Sequence, residues 1–187
     1  IKWSLPFNKK NAHPALLLFQ GDVYKGISVS DFKKEDFVFA QKSLRILSGL
    51  YGILKPLDLI QPYRLEMGTQ IKIGKHNDLY DFWGDEITKA INEDKNSDYL
   101  INLASVEYFK SINKEKLNSK LINISFKEKR NGDYKIIGIN AKKARGLMSR
   151  FIIKNKISNP KELKKFKAEN YSYNKNLSSG SDWIFTR

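Results

Sequence analysis

The chain has 187 residues, 41% of them apolar, with no cysteine and a formal net charge of +14. The absence of cysteine excludes disulfides, cysteine-ligated metal centres and thiol redox chemistry. No apolar run approaches the roughly 18 residues that a membrane-spanning helix needs. Because domains usually contain about 50 to 250 residues, we predict a single domain covering residues 1–187. We also predict that the protein is a monomer and that it is located in the cytoplasm.

The positive charge is concentrated in the second part of the chain. Residues 1–107 contain 14 Lys and Arg against 14 Asp and Glu, whereas residues 108–187 contain 20 against 6. Such asymmetry is typical of proteins that meet a polyanion, such as nucleic acid or a membrane surface. The alternative is a composition that uses lysine freely on every surface, although that bias would not by itself spare the first part.

The first elements in chain order are a strand, a turn and a helix. Residues 15–20 form a short apolar run before Gly21, which predicts a buried strand. Asp22 would then follow a strand end, where α/β proteins place ligand groups, or it would be a turn aspartate that bonds its own backbone. An amphipathic helix that ends by Gly49 is predicted next from the spacing of Phe37, Ala40, Leu44 and Leu47.

Residues 44–68 combine many apolar residues with glycines, prolines and isolated charges. The stretch is too apolar for a surface and too interrupted for one helix or strand, so we predict a buried, bent path. Gly49 and Gly52 bracket a tight turn, and a glycine turn after a helix is typical of a helix-hairpin-helix, whose backbone amides contact a DNA phosphate. The charges of the stretch either pair with one another or receive an anion: Arg45, Lys55, Asp58, Arg64 and Glu66.

Two short strands, at residues 64–67 and 71–73, and a helix over residues 78–93 are predicted next. Asp78, Asp81 and Asp85 share one face of that helix and His76 lies just upstream, a ligand set that suits iron or manganese. Acids in the first turns of a helix are also favoured by its macrodipole. We therefore predict neither a metal site nor a cofactor.

Polar residues follow the strand that is predicted at residues 99–103. Ser105 comes directly after this strand, and Glu107 and Lys110 follow at helical spacing. They are candidate site residues at the end of a sheet. The alternative is that Ser105 caps a helix and the other two form an i, i+3 ion pair, worth only a few tenths of a kcal/mol.

An antiparallel hairpin is predicted over residues 121–140. Residues 121–129 and 134–140 alternate between apolar and polar, and Asn131-Gly132 joins them, which is a strong hairpin signal. Together with the buried strands, the hairpin predicts a mixed α+β fold, broadly α/β, with a mixed sheet and surrounding helices.

Residues 141–156 predict a helix with an apolar stripe and a basic face. Lys142, Lys143, Arg150 and Lys154 lie on the outer face, with Arg145 at its margin. A basic face with no acid repels itself unless an anion is near, although a merely solvated face is the alternative.

Gly146 lies in the middle of this helix, where glycine costs about 1 kcal/mol relative to alanine. That cost is explained if a phosphate or a backbone approaches closely. It is also explained if the helix begins at Gly146 and its amides face an anion.

The C-terminal residues predict a short lysine-rich helix up to about Lys167 and two strands. Residues 171–173 and 183–185 alternate around a Ser-Ser-Gly-Ser turn. Their aromatic side chains either pack in the core or stack on unpaired bases.

Several blocks of the sequence resemble the signature of the YaaA family of bacterial peroxide-stress proteins. They stand in family order and include residues 44–68, Phe19-Gln20-Gly21-Asp22-Val23-Tyr24, Leu79-Tyr80-Asp81-Phe82-Trp83-Gly84, Ile101-Asn102-Leu103-Ala104-Ser105, Glu107-Tyr108-Phe109-Lys110 and residues 141–152. The resemblance implies the family's own uncommon mixed fold, binding of double-stranded DNA, and a role in the peroxide response that limits free iron and DNA damage. It also implies that a segment with a Ser-Pro-Ala-Lys motif precedes Ile1, so that the chain is a fragment.

Two main hypotheses of function follow. The first is a nucleic-acid-binding protein of oxidative stress that contacts duplex DNA mainly at its phosphates, with no membrane partner. Its candidate anion-binding residues are Arg45, Gly49, Gly52, Lys55, Arg64, Lys110, Lys142, Lys143, Arg145, Gly146 and Arg150.

The second hypothesis is an enzyme that acts on a phosphorylated or nucleotide-like small molecule. The same cations would hold the anion, and a carboxylate would supply the acid or base. The candidates for that role are Asp22, Asp58, Glu66 and Glu107. An iron-sequestering protein is a third option that the sequence supports weakly.

Overall fold

The structure is a computed structural model that describes residues 4–94 and 97–187. Its helices are α1 Ala15–Leu18, α2 Asp22–Ile27, α3 Lys34–Ser43, α4 Leu79–Trp83, α5 Glu86–Glu93, α6 Val106–Phe109 and α7 Gly138–Lys154. Its strands are β1 His13–Pro14, β2 Ile46–Ser48, β3 Gly52–Leu54, β4 Leu59–Ile60, β5 Tyr99–Asn102, β6 Lys120–Arg130, β7 Asp133–Lys135, β8 Ser172–Tyr173 and β9 Asp182–Thr186. None of the helices in these described ranges is long and apolar enough to cross a membrane.

The described residues group into two compact units. Unit 1 takes its residues from Ile1–Phe19, Gln41–Asn96 and Ala104–Ser119, and unit 2 from Gln20–Ala40, Ser97–Leu103 and Lys120–Arg187. Each unit therefore combines segments that are distant in sequence. The expectation of a single domain remains a prediction.

Unit 2 is built on a five-stranded mixed sheet. Its strands run in the order β5-β6-β9-β8, and β7 pairs with the end of β6. The β5–β6 and β6–β9 pairs are parallel, whereas β8–β9 and β6–β7 are antiparallel. The predicted mixed α+β fold and its antiparallel hairpin are confirmed.

The core of unit 2 lies between this sheet and α7. Alternate residues of β6, Ile122, Ile124 and Phe126, are buried, as the alternating sequence predicts for a strand with one covered face. Ala144 and Met148 of α7 are fully buried in the same cluster. The predicted apolar stripe of this helix is thereby confirmed.

Unit 1 contains two small antiparallel pairs and short helices. His13 pairs with Ile60 between β1 and β4, and Ser48 pairs with Gly52 between β2 and β3. Its buried apolar residues come from all three of its chain segments, among them Leu16, Ile60, Met67, Leu79, Ile87 and Phe109.

Several predicted elements are wrong in kind or extent. Residues 15–18 form helix α1 and not a strand, because a short apolar run does not distinguish a buried strand from a buried helix. Residues 64–67 are described and form no strand, and residues 71–73 contribute only an isolated bridge between Ile73 and His76. The helix predicted at 78–93 is divided into α4 and α5 by Gly84, whose φ is 46°.

The C-terminal predictions are closer to the structure. The second strand of the hairpin ends at Lys135, because α7 already begins at Gly138. Residues Pro160–Lys165 form a 3-10 helix, and β8 and β9 lie where the two aromatic strands were predicted. The sequence thus located the elements of unit 2 better than those of unit 1.

Candidate nucleic-acid interface

The glycine turn of residues 49–52 connects two strands and not two helices. β2 and β3 form a hairpin in which Ser48 pairs with Gly52, so the predicted helix-hairpin-helix is wrong. Gly52 has a φ of 71°, which favours glycine, and a Cβ there would press on the Trp83 ring at 2.8 Å. A Cβ at Gly49 would lie 2.6 Å from the Leu65 carbonyl oxygen. Both glycines are therefore required by the packing of unit 1.

Arg45 is held by contacts within unit 1. Its guanidinium forms an ion pair with Asp94 and donates hydrogen bonds to the carbonyl oxygens of Gln41, Lys42 and Leu44. Burial lowers the pKa of Arg45. Of the two alternatives that the sequence left open, an internal ion pair or a bound anion, Arg45 forms the internal ion pair. Its partner is Asp94, which lies outside residues 44–68, and not Asp58 or Glu66.

Asp58 and Lys55 form a local turn. The Asp58 carboxylate accepts a hydrogen bond of 2.7 Å from the Lys55 backbone N–H, while the Lys55 side chain is exposed. This geometry is that of an aspartate that stabilises its own turn. Asp58 therefore has a structural role, and the Lys55 side chain remains at the surface.

Four of the candidate residues come together around Gly68 in unit 1. Glu107 Oε1 accepts a hydrogen bond of 2.8 Å from the Gly68 backbone N–H. Glu66 is two residues away and pairs with Arg64 at 3.4 Å, a highly exposed contact. The fourth candidate is Lys110, whose ammonium lies 4.5 Å from the centroid of the Tyr80 ring.

Two tyrosines join this cluster. The Tyr80 hydroxyl donates to the Glu107 carbonyl oxygen at 3.0 Å. Burial raises the pKa of Tyr108 to about 12, with further contributions from Tyr63 and Glu107. Ser105 caps α6 by accepting from Tyr108 N–H at 3.3 Å, so the predicted cap is confirmed, whereas the proposed Glu107–Lys110 ion pair does not form between these described residues.

Gly146 allows two helices of unit 2 to touch. A Cβ on Gly146 would overlap the Val23 carbonyl oxygen and lie 2.9 Å from the Gly26 Cα, and a Cβ on Gly26 would lie 3.0 Å from the Gly146 Cα. The close approach of a backbone, one of the alternatives from the sequence, is therefore confirmed. The helix begins at Gly138, so the alternative start at Gly146 is wrong.

The basic face of α7 is largely neutralised within unit 2. Arg150 binds Asp31 at 2.6 Å and donates to the Ile27 carbonyl oxygen at 3.1 Å. Lys154 pairs with Asp36 at 3.1 Å, and Lys143 pairs with Glu169. The acids lie far away in the sequence, which is why the sequence showed an uncompensated face.

Lys142 and Arg145 differ from the other cations of α7. Lys142 is exposed and has no acidic partner among the residues that the structure describes. Arg145 is half-buried, its Nε donates to the Ala141 carbonyl oxygen at 3.3 Å, and burial lowers its pKa. Neither of these two cations pairs with an acid in the described parts of the chain.

The acidic residues near His76 that suited a metal have other partners. Asp78 caps α4 by accepting from Asp81 N–H, and Asp81 pairs with His76 at 3.4 Å. Asp85 binds Lys116, which lowers the pKa of Asp85. In the described ranges, no group of three or more His, Cys, Asp or Glu side chains is placed so that it could hold a metal ion.

Asp22 also has a partner close by in the sequence. It lies in the first turn of α2 and pairs with Lys25 at 3.4 Å. Its predicted place after a strand is therefore wrong, because the residues before it form helix α1.

The exposed cations that sequence reasoning missed lie mostly in unit 2. This unit contains 20 Lys and Arg against 10 Asp and Glu, so it carries +10 of the net +14. Besides Lys142, its exposed lysines without an acidic partner in the described chain include Lys129, Lys135, Lys161, Lys167 and Lys175. Lys129 and Lys135 flank the predicted Asn131-Gly132 turn, and that position could have singled them out.

Fold and charge together define a mixed α+β protein with a strongly basic unit. The chain matches the family described as "Peroxide stress protein YaaA" over residues 2–177, and it belongs to this family. A UPF0246 protein of Acaryochloris marina is 57% identical over 97% of this chain and 72% of its own length. Similar UPF0246 proteins of Colwellia psychrerythraea and Saccharophagus degradans are 52% and 55% identical, over 74% and 73% of their lengths and 100% and 99% of this chain.

Proposed function

We propose that this peroxide-stress family member binds duplex DNA, mainly through phosphate contacts, and in this way limits iron-dependent oxidative damage to DNA. The observation that carries the proposal is the +10 charge of unit 2 together with its exposed lysines that lack an acidic partner among the described residues. Lysines that meet phosphates without reading bases give affinity with little sequence preference. The proposed interface therefore moves from the whole face of α7 to these lysines.

A salt titration tests the proposal directly. A fluorescent random-sequence duplex is titrated with the protein at about 50 mM and about 200 mM salt. If the protein neutralises about four phosphates, the release of counterions should lower the affinity roughly 100-fold between the two. Equal affinity at both salt concentrations, or no binding at either, would contradict the proposal.

A matched pair of variants tests the location. Lys142→Ala combined with Lys135→Ala should weaken duplex binding by roughly 1 to 3 kcal/mol, on the scale of charge-assisted contacts, and leave folding intact, because both side chains are exposed. The control removes the same charge from exposed positions of unit 1, Lys72→Ala with Lys75→Ala, and should change affinity much less. Equal losses in both variants would indicate a diffuse effect of net charge.

A second candidate function is an enzyme that acts on a phosphorylated or nucleotide-like molecule. It is favoured by the cluster of Glu66, Glu107 and Tyr108 in unit 1, with Arg64 and Lys110 beside it. Carboxylates could serve as acid or base, and the cations could hold the anion. Turnover of a nucleotide panel followed by chromatography, with Glu107→Gln as the comparison, tests this candidate. Turnover that survives Glu107→Gln unchanged would remove the cluster from consideration.

A further inference from the structure

The β6–β7 hairpin extends beyond the strands that pair with the rest of β6. β5 pairs with β6 at residues 120–123, β9 pairs at residues 123–127, and β7 pairs only at residues 128–130. All three residues of β7 are exposed. The end of the hairpin is therefore an accessible part of unit 2.

Exposed apolar side chains follow this hairpin end. Tyr134 is 37% exposed, Ile136 59% and Ile139 64%, and Ile139 lies in the first turn of α7. Their exposure requires an explanation, because exposed apolar groups in one place often mark an interaction site.

Cations surround these apolar side chains. Lys129 is the register partner of Tyr134 across the hairpin, and Lys142 follows Ile139 by one turn of α7. Lys135 is the register partner of the buried Glu128, so it lies on the other face of the hairpin from Lys129 and Tyr134. The acid at the hairpin end, Asp133, lies opposite Arg130. We call the set of Lys129, Tyr134, Lys135, Ile136, Ile139 and Lys142 the hairpin patch.

The combination of charge and apolar surface limits what could occupy the patch. Phosphate contacts alone would need only the lysines. Protection of an edge strand would also be served by lysines alone, and isoleucines would work against it. Proteins that bend DNA combine both features, because cations hold the backbone while aliphatic side chains press between base pairs in the minor groove.

We propose that the hairpin patch enters the minor groove of a bound duplex and partly opens a base step there. Lys129, Lys135 and Lys142 contact the phosphates, and Ile136 and Ile139 press against the bases. This inference rests on the proposed DNA binding. It adds a deformed duplex as the preferred partner and assigns a wedge to residues outside the candidate set derived from sequence.

The test separates the wedge from the phosphate contacts. Duplexes that contain 2-aminopurine report unstacking as an increase in fluorescence, and anisotropy reports affinity. The wild-type chain should raise the fluorescence at saturation. Ile136→Ser with Ile139→Ser should lose most of this rise while the slope of affinity against salt stays unchanged. Lys129→Ala with Lys135→Ala should instead reduce that slope by about two, roughly one for each phosphate that the variant no longer neutralises.

The control is Val38→Ser, which removes an apolar side chain of α3 that is 48% exposed in the same unit. It should behave like the wild type in both measurements, and circular dichroism should show that every variant folds.

Four results would overturn the inference. If the wild type binds duplex but leaves 2-aminopurine stacked, or if the isoleucine variant unstacks it equally, the wedge is excluded and the proposed DNA binding stands. If the wild type binds no duplex, both the wedge and the proposed DNA binding are excluded. If sedimentation shows a wild-type dimer that the isoleucine variant dissociates, the patch is a surface for self-association.

Discussion

Two glycine-containing segments, residues 44–68 of unit 1 and α7 of unit 2, contain most of the residues that were predicted to bind an anion, and they differ in how glycine is used. In the first, Gly52 has positive φ and closes a β-hairpin against Trp83. In the second, Gly146 is helical and allows α7 to touch α2. Glycine provides backbone freedom in one segment and the absence of a side chain in the other.

The cations of the two segments teach the same lesson. Arg45 in the first and Arg150 in the second both bind carbonyl oxygens and an aspartate distant in sequence, Asp94 and Asp31 respectively. Cations that serve the fold are thus found beside structural glycines. The exposed lysines of unit 2 that lack an acidic partner in the described chain do not serve the fold in this way.

The largest expected effect is a loss of stability, and it tests whether the missing side chain of Gly146 is required. Gly146→Ala should lower the free energy of unfolding by roughly 3 kcal/mol, because the new methyl group would force α7 away from α2. The measurement is urea unfolding followed by circular dichroism.

The control for this variant lies in the same helix. Gly138→Ala places a methyl group where no atom lies within 4 Å, and it should change stability by less than about 1 kcal/mol. If both variants have the same effect, the contact between the two helices is not what requires glycine at residue 146.

A second effect concerns the buried carboxylate that neutralises α7. Asp36 is 4% exposed, and the hydrogen bond from Lys156 and that from the Lys33 backbone N–H hold the pKa of Asp36 well below its ordinary value of 3.8. A depressed pKa adds stability that is complete at pH 7 and is lost as the pH falls below about 3.8 towards the folded value.

The variant that tests this linkage is Asp36→Asn. At pH 7 it should melt several degrees below the wild type, and the difference in Tm should shrink as the pH is lowered through about 3.8. A difference in Tm that stays constant between pH 7 and pH 3 would show that the charge of Asp36 is not responsible.

The smallest effects sharpen the contrast between paired and open cations. Arg45→Ala should cost about 2 kcal/mol, because it removes several hydrogen bonds and leaves Asp94 without this partner. Arg64 is 91% exposed, so Arg64→Ala should stay within about 0.5 kcal/mol. Thermal unfolding of the two variants side by side is sufficient, and similar losses would contradict the assignment of only Arg45 to the fold.

Apart from α2, which was expected as a turn, the sequence predicted unit 2 well because its patterns are regular. The alternation along β6, the Asn131-Gly132 turn and the stripe of α7 all depend on local periodicity, and each appears as predicted. Unit 1 was predicted poorly because its short elements depend on partners elsewhere in the chain. Residues 15–18 became a helix where a strand was expected, although nothing in those residues alone distinguishes the two.

The candidate site, too, could be predicted only in part from the sequence. The sequence identified Glu66, Glu107 and Lys110 separately, and the structure brings them together around Gly68. It identified Lys142 as an exposed cation, which the structure retains. It missed the acids that neutralise Lys143, Arg150 and Lys154, because ion pairs between distant segments leave no local pattern.

By itself, the sequence determined the family, the mixed fold class and the excess of positive charge in the second part of the chain. Composition, periodicity and motif order are properties of the chain that can be read directly from its residues. Only the tertiary structure decided which cations remain exposed and which glycines need their missing side chain. Those outcomes depend on which distant segments meet, since Asp31 and Asp36 neutralise cations of α7 only because residues 20–40 pack with α7 in unit 2.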